Sequence, residues 1–118
     1  MILPKDFLAE LFYELAEEYQ YEAELCNPFA TLAYKHYRDL EDVEGMQRCN
    51  PFLDQEDKNT ALELLVQRNL EKQFEPPMIV EEDIARIMKD PAQRKEFKEK
   101  QKQYIRDTVV AKYYEGNF

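Results

Sequence analysis

The chain contains no serine, and it has few of the other side chains from which active sites are built. Three threonines, two cysteines, two glycines and a single histidine remain of the usual chemical inventory. Nucleophilic catalysis needs a hydroxyl or thiol beside a base, and phosphate cradles need glycines that let backbone N–H groups approach. We therefore expect no catalytic residues and no cofactor, and a protein that works by contact.

The lone histidine and the two cysteines do not make a metal site. His36 lies on an apolar helical face, and one histidine cannot supply the paired Glu-x-x-His elements of a di-metal bundle. Cys26 and Cys49 form no Cys-x-x-Cys motif, and Gly45 stands at the wrong offset from Asp39 for a calcium loop. We expect no metal, a core histidine whose ring nitrogens are satisfied locally, and two buried, inert thiols.

Only two glycines and six prolines interrupt the chain, which disfavours an all-β fold with its many tight turns. With 118 residues, 44% of them hydrophobic, one domain over 1–118 is the natural prediction. We expect an all-α fold, a small irregular bundle of about five helices. Its last two helices can alternatively form a C-terminal hairpin or arm.

Apolar periodicity and Asn-Pro pairs set the expected boundaries in the first half. The first helix is predicted from Asp6, as its N-cap, to about Leu25. The tetrapeptide Cys-Asn-Pro-Phe occurs at 26–29 and again at 49–52, and we interpret both copies as devices that start a helix. The second helix then runs to about Glu41, and a polar loop follows.

Prolines also mark the expected helix boundaries in the second half of the chain. A third helix is predicted over 54–74, followed by an extended connector at 75–80 that contains two consecutive prolines. Helices 81–116 come next: a short one to Lys89, and a long one that opens at Asp90-Pro91 and ends at Gly116.

The net charge of −9 is unevenly distributed. Residues 1–88 contain 8 Lys/Arg against 20 Asp/Glu, whereas residues 89–118 contain 8 against 5. The first helix carries a carboxylate face, and the last carries a basic row at four-residue spacing. Because the acidic balance repels phosphate backbones, nucleic-acid binding is disfavoured. The electrostatic residues that we single out are Glu10, Glu14, Glu17, Arg94, Lys98, Lys102 and Arg106.

Two groups of apolar and aromatic residues are candidates for a surface that contacts a protein partner or mediates self-association. Three tyrosines lie off the apolar stripes of the first two helices, and the last helix is apolar on nearly all sides after residue 103. Such a helix must be enclosed by its own fold or by another chain. The candidate partner-binding residues are Tyr13, Tyr21, Tyr34, Tyr104, Ile105, Val109, Val110, Tyr113 and Tyr114.

These features predict a non-enzymatic helical module for protein–protein interaction: an adaptor, an assembly factor or a small subunit of a larger complex. The alternative is an acidic inhibitor, or an immunity or anti-restriction protein, that blocks a basic partner acting on nucleic acid. A third hypothesis, an enzyme that uses Glu14 with Glu18, is disfavoured because carboxylates on a solvated face have no reason for shifted pKa values. No long apolar run or secretory signal is visible, so we expect a cytoplasmic protein without membrane contact.

Overall fold

The computed structural model describes residues 3–53, 60–72 and 81–116, and within these ranges the chain is all α-helical, without a β-strand. This confirms the predicted fold class. A 3-10 turn, Asn50–Phe52, and a π turn, Arg106–Val110, complete the elements. The α-helices are α1 (Lys5–Glu18), α2 (Ala23–Asp39), α3 (Val43–Cys49), α4 (Thr60–Lys72), α5 (Glu81–Lys89), α6 (Pro91–Ile105) and α7 (Ala111–Tyr114).

The chain divides into two compact units. One comprises Pro4–Glu63, and the other comprises Leu64–Phe118 with the first three residues. The boundary falls within α4, whose buried apolar residues Leu62, Val66 and Leu70 recur at four-residue spacing on one face. The remainder of that predicted helix and the predicted connector at 75–80 lie outside the described residues.

The core of the first unit lies between α1 and α2, which pack against each other over their length. The predicted apolar stripes form its centre, because residues three and four apart share one helical face. Tyr19, at the end of α1, stacks on Phe29 of α2 with 6.0 Å between ring centroids. The fully buried large side chains of these two helices are Phe7, Leu8, Leu11, Phe12, Leu15, Leu25, Phe29 and Leu32.

The turn between α1 and α2 lies earlier than predicted. The N-cap position of α1 is Pro4 rather than Asp6, the helix ends at Glu18, and α2 begins at Ala23. The pair Asn27-Pro28 therefore lies inside α2, so its interpretation as a helix start is wrong. Pro28 lies in the second turn of α2 and has no backbone N–H to donate. The one carbonyl that loses its intrahelical hydrogen bond for this reason belongs to the exposed first turn.

The predicted polar loop before Arg48 is largely helical, because α3 has its own capping device. Asp42 is the N-cap, and its Oδ1 accepts a hydrogen bond from the backbone N–H of Gly45 at 3.1 Å. Gly45 is required for packing as well, since a Cβ at this position would overlap the ring of Tyr37. The second copy of the tetrapeptide continues from α3 as the 3-10 turn, and Asn50 is not a side-chain cap there.

The boundaries of the C-terminal helices are as predicted. The carboxylate of Asp90 caps α6 by accepting hydrogen bonds from the N–H groups of Ala92 (3.0 Å) and Gln93 (3.4 Å). Gly116 ends the last helix with φ +78°, which suits a residue without a Cβ. The π turn was not predicted; within it, the hydroxyl of Thr108 donates to the carbonyl of Tyr104 at 2.7 Å.

Candidate functional site

The segment of residues 17–24, which we name the acidic turn, joins α1 to α2 and presents one tyrosine to solvent. The side chain of Tyr21 is 93% exposed, the largest exposure of any large hydrophobic residue in the described chain. No glycine or proline forms the turn; the N–H of Glu22 donates to the carbonyl of Tyr19 at 2.9 Å. Exposed glutamates flank Tyr21 in the sequence, at Glu17, Glu18, Glu22 and Glu24.

Tyr13 and Tyr34, the other two tyrosines predicted to contact a partner on the first two helices, are less exposed than Tyr21. The ring of Tyr13 lies 6.1 Å from that of Phe52, and the guanidinium of Arg48 lies 5.2 Å from its centroid. Burial raises the pKa of Tyr13, with a smaller contribution from the nearby charge of Glu17. Tyr34 is half-buried. Among the three, only Tyr21 presents a largely exposed ring.

Sequence reasoning missed the role of Arg48, which lies against two tyrosines at once. Its guanidinium is 5.4 Å from the centroid of Tyr37, and Nη2 donates to the Tyr37 hydroxyl at 3.3 Å. Burial raises the pKa of Tyr37 to about 12, despite the opposing effect of this cation. The cation therefore fastens α3 to α1 and α2 through their aromatic rings. No local signal reveals this contact, because it depends on tertiary packing.

Half of the predicted apolar contact residues near the C-terminus are already enclosed. Ile105, Val109 and Val110 are buried, and Tyr104 and Tyr113 are half-buried. Tyr114 is 58% exposed, and its ring meets that of Tyr113 edge-on with 5.6 Å between centroids. The exposed apolar area of this segment is therefore smaller than its sequence suggested.

The predicted basic row is not an open cationic surface. Lys102 is buried, and its Nζ lies 3.1 Å from Oε1 of Glu99. Arg94 and Lys98 are half-buried, and each has a partner within the chain. Arg106 donates to Oε1 of Gln103 at 3.1 Å. Each of the four residues of the row therefore has a contact within the chain.

The predicted carboxylate face is only partly open to solvent. Glu10 and Glu14 are half-buried, and each has a partner within the chain. Glu17 is exposed and belongs to the acidic turn. Of the three predicted carboxylates, Glu17 is therefore the one best placed to meet another molecule.

Both cysteines are free and buried, as predicted. Burial raises the pKa of the Cys26 thiol, and it raises that of Cys49 to about 11 against the smaller opposing effect of Arg48. A thiolate is the reactive form of cysteine. Both side chains are therefore held in the unreactive thiol form at neutral pH.

His36 lies on the α1–α2 contact, with its ring stacked on Phe12 at 5.7 Å between centroids. Its Nδ1 is buried and has no hydrogen-bond partner among the described residues, so the prediction of locally satisfied ring nitrogens is wrong for this atom. Burial lowers the pKa of His36, while Asp39 has a smaller, opposite effect. The neutral imidazole is therefore the form that the fold accommodates.

A cavity of about 230 Å³ adjoins the acidic turn. One side consists of Gln20, Ala23, Cys26 and Asn27, and the other of residues 51–53. Parts of both Cys-Asn-Pro-Phe copies thus face the same space. Asn27 is 8% exposed, and its Nδ2 has no hydrogen-bond partner in the described part of the chain.

Residues 3–53, 60–72 and 81–116 contain neither a cluster of metal ligands nor a membrane-spanning helix. No three side chains of His, Cys, Asp or Glu come together there in a way that could hold a metal ion. No helix in those ranges combines the length and the apolar character needed to cross a membrane. The acidic turn and the adjoining cavity therefore remain the candidate functional features.

Comparison with known proteins identifies no relative. No protein-family model matches the chain. No match is found among curated proteins or among solved structures. The function of this helical protein is therefore to be inferred from its own residues and their geometry.

Proposed function

We propose that this chain is a non-enzymatic protein–protein interaction module, an adaptor or small subunit that contacts its partner through the acidic turn. The observation that carries the proposal is the 93% exposure of Tyr21. Tyrosine offers a large contact area at little conformational cost, and it is enriched among the residues that dominate binding energy. Contact, rather than catalysis, is the activity that this feature supports.

The charge around Tyr21 favours a basic partner. Residues 4–63 contain 5 Lys/Arg against 15 Asp/Glu, a balance of −10. Such a field raises the association rate with cationic proteins and opposes approach to nucleic acid. A partner surface with arginine or lysine around an apolar recess would complement an exposed aromatic ring in a segment rich in carboxylates.

A comparison of three single substitutions tests this proposal. Tyr21→Ala removes the exposed ring, whereas Val43→Ala and Tyr114→Ala remove side chains that are each 58% exposed elsewhere. Each variant and the parent chain would be immobilised and exposed to an extract of the source cells, and retained proteins would be quantified by mass spectrometry. We expect Tyr21→Ala to reduce retention of a specific protein at least about tenfold, because a central tyrosine contributes on the order of 2 kcal/mol.

The two control variants should retain that protein at the level of the parent chain. Equal retention by Tyr21→Ala would show that the ring is not the anchor. If only Tyr114→Ala lost the partner, the exposed edge of the C-terminal segment would be the contact surface instead.

The charge of residues 4–63 also favours a second function, that of an acidic inhibitor that blocks a basic partner acting on nucleic acid. In that case association would be steered by charge and would depend strongly on salt. The association rate with the captured partner would be measured between about 0.01 M and about 1 M salt, where the screening length falls from about 30 Å to about 3 Å. We expect a fall of at least about tenfold for an inhibitor of this kind.

An association rate that hardly changes with salt would reject the inhibitor hypothesis. It would leave the interaction module standing, since an aromatic anchor binds without long-range steering. Glu17→Gln provides the matched substitution: it removes one exposed charge of the acidic turn and should lower the rate at low salt alone.

A further inference from the structure

The cavity beside the acidic turn has an uncharged wall. Gln20 and Asn27 contribute carboxamides, and Ala23, Pro51 and Leu53 contribute apolar surface. None of the seven residues that line it carries a charge, although the surrounding unit is strongly acidic. A charged ligand would lose its hydration there without gaining a counter-charge, so the wall selects for a neutral molecule.

Asn27 supplies the polar feature of the cavity. Its side chain is more than nine-tenths buried, and Nδ2 has no hydrogen-bond partner among the described residues. A buried donor without a partner is costly, and a ligand that satisfies it recovers that cost. Because Nδ2 is covered by neighbouring atoms, we expect binding to turn the amide about the Cβ–Cγ bond and bring the N–H into the cavity.

A primary carboxamide is the ligand group that matches this side chain in either orientation. It offers one carbonyl acceptor and two N–H donors, so it can pair with whichever atom of the Asn27 amide faces the cavity. A carboxylate or an ammonium group can satisfy only one of the two atoms, and each also brings a charge. The residues that line the cavity therefore favour a primary carboxamide in the ligand as well as the absence of charge.

The volume of the cavity sets the size of the remainder of the ligand. A cavity of about 150 Å³ lined by apolar side chains accommodates benzene. The space of about 230 Å³ beside Phe52 and Pro51 is thus sufficient for one six-membered ring with a substituent. Phe52 is half-buried and already tilted against Tyr13, so its ring offers a fixed apolar surface.

We propose that this cavity binds a small uncharged molecule that carries a primary carboxamide on an apolar or aromatic group. The Asn27 amide pairs with the carboxamide, and Pro51, Phe52 and Leu53 contact the apolar part. The proposal is independent of the protein-binding function, since it requires neither Tyr21 nor any partner protein.

Titration of the full chain with four related compounds tests the specificity. Benzamide carries the proposed group, toluene has the ring alone, and benzoate and benzylamine place a charge on the same framework. Binding would be followed by ¹H–¹⁵N correlation spectra, with the side-chain NH₂ signals of Asn27 and Gln20 as direct reporters. For ligands of this size we expect a Kd on the order of 1 mM for benzamide, and values at least about tenfold higher for the other three compounds.

The repeated tetrapeptide provides a matched pair of variants. Asn27→Leu keeps the approximate side-chain volume and removes the amide, whereas Asn50→Leu makes the same change at the exposed position of the second copy. Asn27→Leu should abolish the preference for benzamide over toluene, and Asn50→Leu should leave it intact. Ala23→Met fills the cavity from an exposed position and should weaken the binding of both benzamide and toluene. It serves as the second variant if Asn27→Leu does not fold.

Three outcomes would overturn the proposal. The first is the absence of saturable shifts at residues 20, 23, 26, 27, 52 and 53 at benzamide concentrations about twentyfold above that Kd, which would mean that only water meets the Asn27 amide. The second is equal affinity for benzamide and toluene, which would make the cavity merely apolar. The third is an unchanged preference for benzamide in the Asn27→Leu variant.

Discussion

Residues 4–63 and residues 64–116 make their polar contacts over different distances along the chain. In the first region, two ion pairs join separate helices, Lys5 with Asp39 at 3.4 Å and Lys35 with Glu63 at 3.1 Å, beside one local pair, Arg38 with Asp39 at 3.9 Å. In the second, residues three or four apart in one helix pair with each other, as in Arg86–Asp83, Lys100–Glu96 and Lys102–Glu99. The first region thus depends on tertiary contacts, and the second has more local support.

The aromatic side chains follow the same division. Tyr13 and Tyr37 are fastened by Arg48, which comes later in the chain, whereas Tyr113 contacts its neighbour Tyr114. Long-range contacts leave little tolerance for added volume, and local contacts leave more. Substitutions that are chemically alike should therefore cost more in residues 4–63 than in residues 64–116.

The largest expected difference concerns the two glycines. Gly45→Ala should lower the free energy of unfolding by about 3 kcal/mol, because the added Cβ overlaps the ring of Tyr37. Gly116→Ala meets no atom within 4 Å and should cost about 1 kcal/mol, from its positive φ alone. Urea unfolding of both variants would measure the two costs. Equal costs would contradict the division between the regions.

The ion pairs provide the second comparison. Lys35→Met leaves the buried carboxylate of Glu63 without its 3.1 Å partner, and we expect a loss of about 2 kcal/mol, reduced by the partial exposure of Lys35. Lys100→Met breaks an exposed pair four residues apart and should cost less than about 0.5 kcal/mol. The free energy of unfolding at low salt is the measurement. A larger loss in Lys100→Met would reverse the comparison.

The third prediction concerns pH. Because the fold lowers the pKa of His36 below its ordinary value of 6.5, the native state binds this proton less readily than the unfolded chain does. Its contribution to stability is complete above pH 6.5 and is lost as pH falls through the lower, folded pKa. We expect the free energy of unfolding to fall as pH is lowered from about 7 to about 5.5, with a slope no steeper than about 1.4 kcal/mol per pH unit.

The histidine is the only one in the chain, so its substitution isolates the effect. His36→Phe keeps a ring against Phe12 and removes the titrating group. Denaturant unfolding of this variant should show no change in stability over the same pH range. A slope that persists in the variant would assign the effect to carboxylates instead.

The smallest expected effect is at the acidic turn. Tyr21→Ala should change the free energy of unfolding by less than about 0.5 kcal/mol, because the side chain is almost fully exposed. Tyr37→Phe, in the same unit, removes a hydroxyl bonded to Arg48 and should cost about 1 kcal/mol. Thermal unfolding of the two variants would measure the difference. A large loss in Tyr21→Ala would mean that this ring supports the fold rather than a partner.

The parts of the fold that were predictable from sequence are those that local capping defines. Asp90-Pro91 and Gly116 mark the ends of the C-terminal helices, and these boundaries are confirmed. Asn27-Pro28 has the same local form, but packing of Phe29 and its neighbours extends α2 through it. Helix α3 escaped prediction because its seven residues bury little beyond Gly45 and Cys49.

The candidate site was only partly predictable for the same reason. The position of Tyr21 off the apolar stripe agrees with its exposure, and Tyr13 shares that position. Arg48 and Phe52 contact Tyr13, and these contacts depend on how α3 and the turn after it pack against α1. The cavity depends on that packing as well, since residues 51–53 form one of its sides.

The π turn at Arg106–Val110 determines the directions in which the side chains that follow it point. Each residue of a regular helix turns the chain by about 100°, so a turn that takes in an additional residue resets the phase of every later side chain. If the same residues formed a regular helix, the two terminal tyrosines would be turned by about 100°, whereas removing one residue from this segment would restore regular winding and keep their present directions. The turn thus absorbs one residue and decides which side chains of the last helix face outward.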